Sequence, residues 1–262
     1  MIKTNFLNFK KLCIVTAMCL SLTACAGQSA QMDTTKVIPD PLEPFNRGVT
    51  QLNKGLDLIV LDPLAKGYNA VLPEFVRNAI GNFLRNLRAP LYFANNLLQG
   101  DVGGAGVSAA RFVMNTTVGL GGLFDVAEKQ GLNHEEEDFG QTLAVWGLGD
   151  GFYLVWPVLG PSSLRDSVGM GVDALADPVR IITFDEGEEW IYYTRNGVEG
   201  LHKKAEVVDV LSDLRENSLD YYSAIKSIYE QRRIALIRDH SYDMSTPQGS
   251  YDEYDDLDNY EQ

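Results

Sequence analysis

The side chains with the chemistry to act as nucleophiles or bases are few, and their spacing suits no catalytic arrangement. Ser108, Ser162 and Ser163 lie outside any Gly-x-Ser-x-Gly elbow, the turn that exposes a nucleophilic serine. The histidines are His134, His202 and His240, and the run His134-Glu135-Glu136-Glu137 lacks the second histidine of a zinc-protease helix. Gly103-Gly104-Ala105-Gly106 and Gly119-Leu120-Gly121-Gly122 complete no nucleotide fingerprint and read as turns or close helix packing. The sequence therefore argues against a lipid hydrolase, a metal enzyme and a nucleotide-dependent enzyme. No catalytic residue, metal or cofactor is expected.

One thiol is placed for covalent modification. Lys3, Lys10 and Lys11 precede an apolar run from Leu12 to Leu22, and no acidic residue occurs before Asp33, the layout of a secretory signal peptide. The run is shorter than the roughly 20 apolar residues of a spanning helix, so cleavage is expected. It ends in Leu22-Thr23-Ala24-Cys25, which resembles the bacterial lipobox, in which the cysteine is acylated. Ala26 follows, where lipoproteins of the inner membrane often carry Asp, which favours the outer membrane. Residues 1–24 are thus expected to be removed, Cys25 to carry lipid, and the small, polar residues 25–39 to form a tether.

Cys13 and Cys19 leave with the signal, so the mature chain has no second thiol for a disulfide or a cysteine metal site. Removing three lysines leaves 19 basic against 36 acidic residues, a net charge of −17, which makes nucleic acid an unsuitable partner.

The elements that would position any site are helical. Pro73 and Glu74 open a pattern with Phe75, Val76, Ala79, Ile80, Phe83, Leu84 and Leu87 on one face. Pro90 should kink or end it before a second piece over Leu91, Phe93, Ala94, Leu97 and Leu98. After Gly100 comes a helix with Val107, Ala110, Phe112, Val113, Met114 and Val118, stopped by Gly119, Gly121 and Gly122. Ser163 and Asp166 mark another start, with Val168, Val172, Leu175 and Ala176 on one face up to Pro178. Two more helices are expected, Glu188 to Val210 and Leu211 to Arg238, with Trp190, Val198, Leu201, Leu214, Leu219, Tyr222, Ile225 and Tyr229 inward. Period-two alternation is scarce, so the body, residues 40–238, is mainly α. Residues 239–262 have few aliphatics and many acids and are expected to be disordered, with Tyr242, Tyr251, Tyr254 and Tyr260 in a solvated tail.

Two features stand out from this helical background. Arg77, Arg85 and Arg88 share a polar side of the helix from Pro73, and paired guanidinium donors suit a phosphate. The segment LAVWGLGDGFYLVWPVL, residues 143–159, carries one charge, Asp150, and the aromatics Trp146, Phe152, Tyr153 and Trp156. Gly147, Gly149 and Gly151 at alternate positions permit a hairpin or a mobile loop. A buried β-hairpin and a lipid-facing apolar wall both fit this segment.

Ordered motifs across residues 40–238 resemble one family. Asp40-Pro41-Leu42-Glu43-Pro44-Phe45-Asn46-Arg47 matches its opening signature. Arg111-Phe112 with Asn115, Gly119-Leu120-Gly121-Gly122 and Asp125 match its centre. Phe139-Gly140-Gln141-Thr142-Leu143, the alternating glycines, Pro157, Gly160 and Ser163-Leu164-Arg165-Asp166 complete the series. The chain is similar to the MlaA family, also called VacJ lipoproteins. The resemblance implies a ring-like, multi-helix, monotopic body sunk in the inner leaflet of the outer membrane. It implies a central amphipathic channel, at which the glycine-rich apolar loop would lie; the hypothesis here is that Gly147, Gly149 and Gly151 let that loop open and close. It implies removal of mislocalised glycerophospholipids from the outer leaflet and their passage to a periplasmic lipid carrier that supplies an inner-membrane ABC transporter, beside a porin trimer. For Arg111 and Arg165 a buried structural ion pair is as good a reading as a ligand contact. The competing function is a structural lipoprotein that braces the envelope or a porin without moving lipid.

Overall fold

A computed structural model describes residues 37–238. Cys25, the expected signal and the expected tether up to residue 36, His240 and the tyrosines beyond residue 238 lie outside the described residues. The order of elements is α1 (Glu43–Leu56), a π-helical turn (Asp57–Leu61), α2 (Asp62–Val71), α3 (Glu74–Gln99), α4 (Val102–Thr117), a 3₁₀ turn (Glu128–Gln130), α5 (Phe139–Val145), β1 (Tyr153–Trp156), β2 (Gly160–Ser163), α6 (Leu164–Ala176), α7 (Pro178–Asp185), α8 (Glu189–Asn217) and α9 (Tyr221–Arg238). The body is mainly helical, and no helix of the described residues is long and apolar enough to cross a membrane.

Local chemistry accounts for most boundaries. α3 stops at Gly100 in the left-handed region (φ 83°). Asp101, Asp138, Ser163 and Asp177 cap α4, α5, α6 and α7 by accepting backbone N–H groups of the first turn. Pro90 does not end α3, one of the two outcomes expected of it: the helix continues through it to Gln99. Proline removes one backbone hydrogen bond, and here the flanking Ala89, Leu91 and Tyr92 are buried, so packing holds the turn in place. The expected boundary between Val210 and Leu211 is also displaced. α8 continues to Asn217, and the break falls at Ser218-Leu219-Asp220, where the Asp220 carboxylate accepts the Tyr222 N–H at 3.1 Å.

α3 is the hub, forming a helical hairpin with α4 and packing on α5, α7 and α8. β1 and β2 form an antiparallel hairpin with Tyr153 opposite Ser163 and Trp156 opposite Gly160. One small core joins Ile38, Val49, Tyr153, Val155 and Tyr222; a second joins Ala65, Ala205 and Val208. Among the described residues Ile38, two residues before the expected start of the body, is already part of the core.

Burial along several helices favours polar over apolar residues. Of the seven apolar residues expected to form the inner face of α3, only Leu84 is buried, while Phe75 (74% exposed) and Phe83 face outward. The buried positions of α3 include Gly81, Asn86, Asn95 and Asn96. In α4 the buried stripe is Ala105, Ser108, Arg111 and Asn115, and Val113 and Val118 are exposed. In α6 it is Arg165, Asp166 and Gly169, with Val168 and Leu175 exposed. In α8 it includes Arg195, Glu199 and His202, while Trp190 and Val198, expected inside, are exposed, as is Leu219 beyond it. Among the described residues 22 polar or charged residues are buried against 16 apolar ones, so polar contacts, not apolar packing, dominate the interior.

Candidate functional site: a polar interior beneath an apolar exterior

The α3 residues Arg77, Gly81, Arg85, Arg88 and Tyr92, spaced four, four, three and four apart, form one inward stripe. Two cavities flank it. The first, about 440 Å³ with its open mouth, lies between α3, α4 and residues 133–135 and is lined by Asn82, Arg85, Asn86, Ser108, Arg111 and His134 among others. The second, about 360 Å³, lies between α3 and α8 and is lined by Arg85, Arg88, Glu136, Glu199, His202 and Glu206 among others. Arg85 and Tyr92 face both.

The three arginines expected on a polar side of this helix are therefore on its inner side, in different company. Arg88 meets Glu199 at 2.9 Å. Arg77 donates to the Asn69 amide oxygen, and Arg85 to that of Asn82 at 2.5 Å. Around them, Tyr68 contacts His202 Nδ1 at 3.1 Å, and a Cβ at Gly81 would lie 2.5 Å from His202 Nε2, so glycine lets that imidazole settle against α3. Burial, with Arg85 nearby, pushes the His134 imidazole down to about 4, so it is neutral at pH 7. No sequence signal singled out His134 as part of this site, since its partners Tyr92 and Arg85 are distant in the chain.

Arg111 and Asn115 are structural. Arg111 pairs with Asp125 at 2.5 Å and donates to the Leu132 carbonyl. Asn115 Oδ1 accepts the Val126 and Ala127 N–H groups at 2.9 and 3.0 Å, and its Nδ2 donates to Asp125 at 3.1 Å. Burial would raise the Asp125 carboxyl, but hydrogen bonds from the Glu128 N–H, Asn115 and Arg111 outweigh it and hold it below the usual carboxylate range. The pair fixes the glycine-rich connection that follows α4 and so shapes the wall of the first cavity.

The opening signature has an equally concrete role. Asn46 is fully buried; its Nδ2 donates to Asp40 at 2.8 Å and to the Tyr153 carbonyl at 3.0 Å, and its Oδ1 accepts the Val155 N–H at 3.0 Å. Asp40 also accepts from the Tyr222 hydroxyl. Arg47 forms a two-pronged pair with Asp220 at 3.1 and 2.8 Å and lies over the Tyr222 ring. Pro41 precedes α1, and Leu42 and Phe45 point outward, leaving Glu43 to pair with Arg47 at 2.8 Å. The motif thus ties α1, β1 and α9 together.

The segment 143–159 is a hairpin over part of its length and exposes apolar residues over the rest. The hairpin strand begins only at Tyr153, and the strands turn at residues 157–159, not at the alternating glycines. Tyr153, expected on the apolar wall, is instead fully buried in the core against Tyr222 and Tyr229. Phe152 is half-buried. Trp146 (47% exposed) and Trp156 (42%) do face outward, with Val158 (62%) and Leu159 (72%) at the hairpin tip. Each indole N–H is satisfied from within, Trp146 by the Leu98 carbonyl and Trp156 by Ser167, both at 2.9 Å, so the rings present apolar surface without an unpaired donor. Asn53 of α1 holds the tip, donating to the Trp156 carbonyl at 2.9 Å and accepting the Val158 N–H at 2.8 Å. The glycines themselves differ: Gly147 and Gly151 have φ of 88° and 73°, whereas Gly149 needs no positive φ and has open space where a Cβ would stand.

Behind this segment lies a buried ion cluster. Arg165 Nη2 bonds Asp150 at 2.8 Å and Asp166 at 3.0 Å. Arg233 of α9 grips Asp138 at 2.5 and 2.8 Å and reaches Asp166 at 2.9 Å. Arg165 is thus part of a structural ion pair. The other apolar stretch that sequence periodicity missed is the π-helical turn, where Leu58, Ile59 and Val60 are all exposed.

The family model described as MlaA lipoprotein matches residues 38–235. The chain is 35% identical over 217 residues to an uncharacterized protein of Rickettsia bellii, covering 80% of this chain and 81% of that one. It is 32% identical over 223 residues to the intermembrane phospholipid transport system lipoprotein MlaA of Shigella flexneri, covering 83% and 86%. A solved structure from work on the structural basis for maintenance of bacterial outer membrane lipid asymmetry superposes with a TM-score of 0.67 at 36% identity, covering 76% of this chain and 98% of that one.

Proposed function

The chain belongs to the MlaA lipoprotein family, and on that premise we propose that it removes mislocalised glycerophospholipids from the outer leaflet of the outer membrane and passes them to a periplasmic lipid carrier. Cys25 carries the lipid that holds it at the periplasmic face, and the helical body sits as a ring in the inner leaflet around an amphipathic channel. It works beside a porin trimer, and the carrier supplies an inner-membrane ABC transporter.

The observation that carries the reading is this preference for burying polar residues. A charged headgroup is strongly disfavoured in an apolar zone, and a body with apolar helix faces outside and arginine, asparagine and histidine inside offers the headgroup a polar route while remaining compatible with acyl chains. The exposed rings of Trp146 and Trp156 suit the boundary between these regions. Transfer breaks no bond, so it needs neither nucleophile nor cofactor, and net direction comes from the downstream carrier. A lipoprotein that only braced the envelope would have no use for polar cavities beneath an apolar exterior.

The test is outer-leaflet phospholipid, read by accessibility to an outer-leaflet acyltransferase or lipase, in cells with and without the gene. A rise on deletion, reversed by the wild-type chain but not by Cys25→Ala, is expected. No change, with the other transport components active, would return the protein to the bracing role.

A further inference from the structure

We infer that Arg85, with His134 beside it, forms a subsite for the phosphodiester group of a glycerophospholipid in the cavity between α3, α4 and residues 133–135. The inference rests on the phospholipid reading above and specifies which residues hold the headgroup.

Three guanidinium groups line the two cavities, and two are neutralised by carboxylates: Arg88 by Glu199 at 2.9 Å and Arg111 by Asp125 at 2.5 Å. Arg85 instead donates to the neutral Asn82 amide, and its Nε is buried with no hydrogen-bond partner among the described residues. His134 Nε2, in the wall of the same cavity, is likewise buried without a partner. Unmade bonds on buried donors are costly, and doubly so on a charged one. An anion that reached both would accept from the Arg85 guanidinium and, in the tautomer that carries its proton on Nε2, from His134.

The rest of the wall agrees. Asn82, Asn86, Asn133 and Ser108 are neutral hydrogen-bonding groups. Its carboxylates are Asp125, already held by Arg111 and Asn115, and Glu135, which is itself engaged within the protein. Burial is the main cause that depresses the imidazoles of His134 and His202, and the positive charge of Arg85 adds to it at both. A phosphodiester suits these groups because its two free oxygens match the spacing of paired guanidinium donors. The cavity is open at its mouth, so a phosphate held against its wall would leave the glycerol and acyl chains to the mouth and to exposed apolar residues outside, such as Phe83, Val102 and Val113.

The experiment uses the full lipidated protein in detergent. Affinity is measured for phosphatidylglycerol, phosphatidylethanolamine, diacylglycerol with the same acyl chains, and inorganic phosphate. Wild type is expected to bind both phospholipids at least tenfold more tightly than diacylglycerol. Arg85→Gln should erase that difference while leaving diacylglycerol binding as it was, and Arg85→Lys, which keeps the charge but loses the paired donors, should restore part of it. His134→Ala should lower phospholipid affinity several-fold. Phospholipid binding unchanged in a folded Arg85→Gln protein overturns the subsite and leaves the transport reading standing. Saturation by inorganic phosphate as tight as by phospholipid overturns the headgroup assignment in favour of free phosphate. A wild-type protein that binds no lipid at all removes the transport reading and the subsite with it.

Discussion

Arg165 is joined to Asp150 twice: its backbone N–H donates to the Asp150 carbonyl at 3.2 Å, and its guanidinium meets the Asp150 carboxylate at 2.8 Å. The charge in the middle of the glycine-rich segment is therefore a fastening, made to the first turn of α6. Asp150 is about one-third exposed and Arg165 almost wholly buried, so the two ends of this contact differ in energy. Asp150→Asn is expected to cost at most about 1 kcal/mol and to raise amide exchange locally in residues 147–151. Arg165→Met, which also strips the buried Asp166 of a partner, is expected to cost about 3–5 kcal/mol. Hydrogen exchange with a urea titration separates the two; equal global losses would mean the fastening is not local.

Asn46→Leu should destabilise the hairpin. It leaves the Tyr153 carbonyl and the Val155 N–H buried and unpaired, for a loss of about 2–4 kcal/mol. The urea midpoint should fall accordingly, with the earliest exchange in residues 153–163. A loss below about 0.5 kcal/mol would show that the strand does not depend on α1.

The glycines of the apolar segment should respond differently to alanine. Gly151 combines φ 73° with a would-be Cβ only 2.9 Å from Leu164 Cβ, so Gly151→Ala should cost more than the roughly 1 kcal/mol of backbone strain alone. Gly149→Ala, unstrained and facing open space, should be neutral or stabilising by up to about 1 kcal/mol. If opening and closing of this segment matters to lipid transfer, Gly149→Ala separates mobility from fold. It should raise outer-leaflet phospholipid at normal protein abundance, and a wild-type lipid balance would remove the hinge idea.

Stability should fall on mild acidification through His134. Its folded value is about 4, against about 6.5 in an unfolded chain. Between these values the unfolded chain binds more protons, so stability rises with pH across the window. The contribution is complete above pH 6.5 and is lost as pH falls towards 4. Thermal midpoints of wild type and His134→Gln should diverge at pH 7 and converge towards pH 4; parallel curves would show that His134 does not titrate in this way.

Helix starts and stops were largely legible in the chain, because they rest on local chemistry: Pro73 before α3, Gly100 after it, and Ser163 with Asp166 at α6. Two kinds of information were not. The region of α1 and α2 carries Gly48, Gly55, Gly67 and Pro63, and the π-helical turn between them shifts the phase of any 3.6-residue pattern. The inward direction of α3 was misread because its interior contacts are made by Gly81, Asn86, Asn95 and Asn96, polar or small residues that an apolar-stripe rule assigns to the outside. Arg85 was picked out by type, but its distinction from Arg88 depends on Glu199, 111 residues or more away along the chain.

The placement of apolar residues on the outside also changes what heat does to this molecule. The heat capacity of unfolding comes from apolar surface newly given to water, typically about 12–15 cal/mol/K per residue. Here Phe75, Ile59, Leu159 and Leu175 are already outside the fold, and much of what unfolding uncovers is arginine, asparagine and aspartate, whose hydration lowers the heat capacity. Calorimetry in a mild detergent should therefore give a per-residue value well below that range and a stability curve that is broad and shallow with temperature. The tertiary structure would then be insured by its ion pairs against cold as well as heat, with less of its stability drawn from a greasy centre.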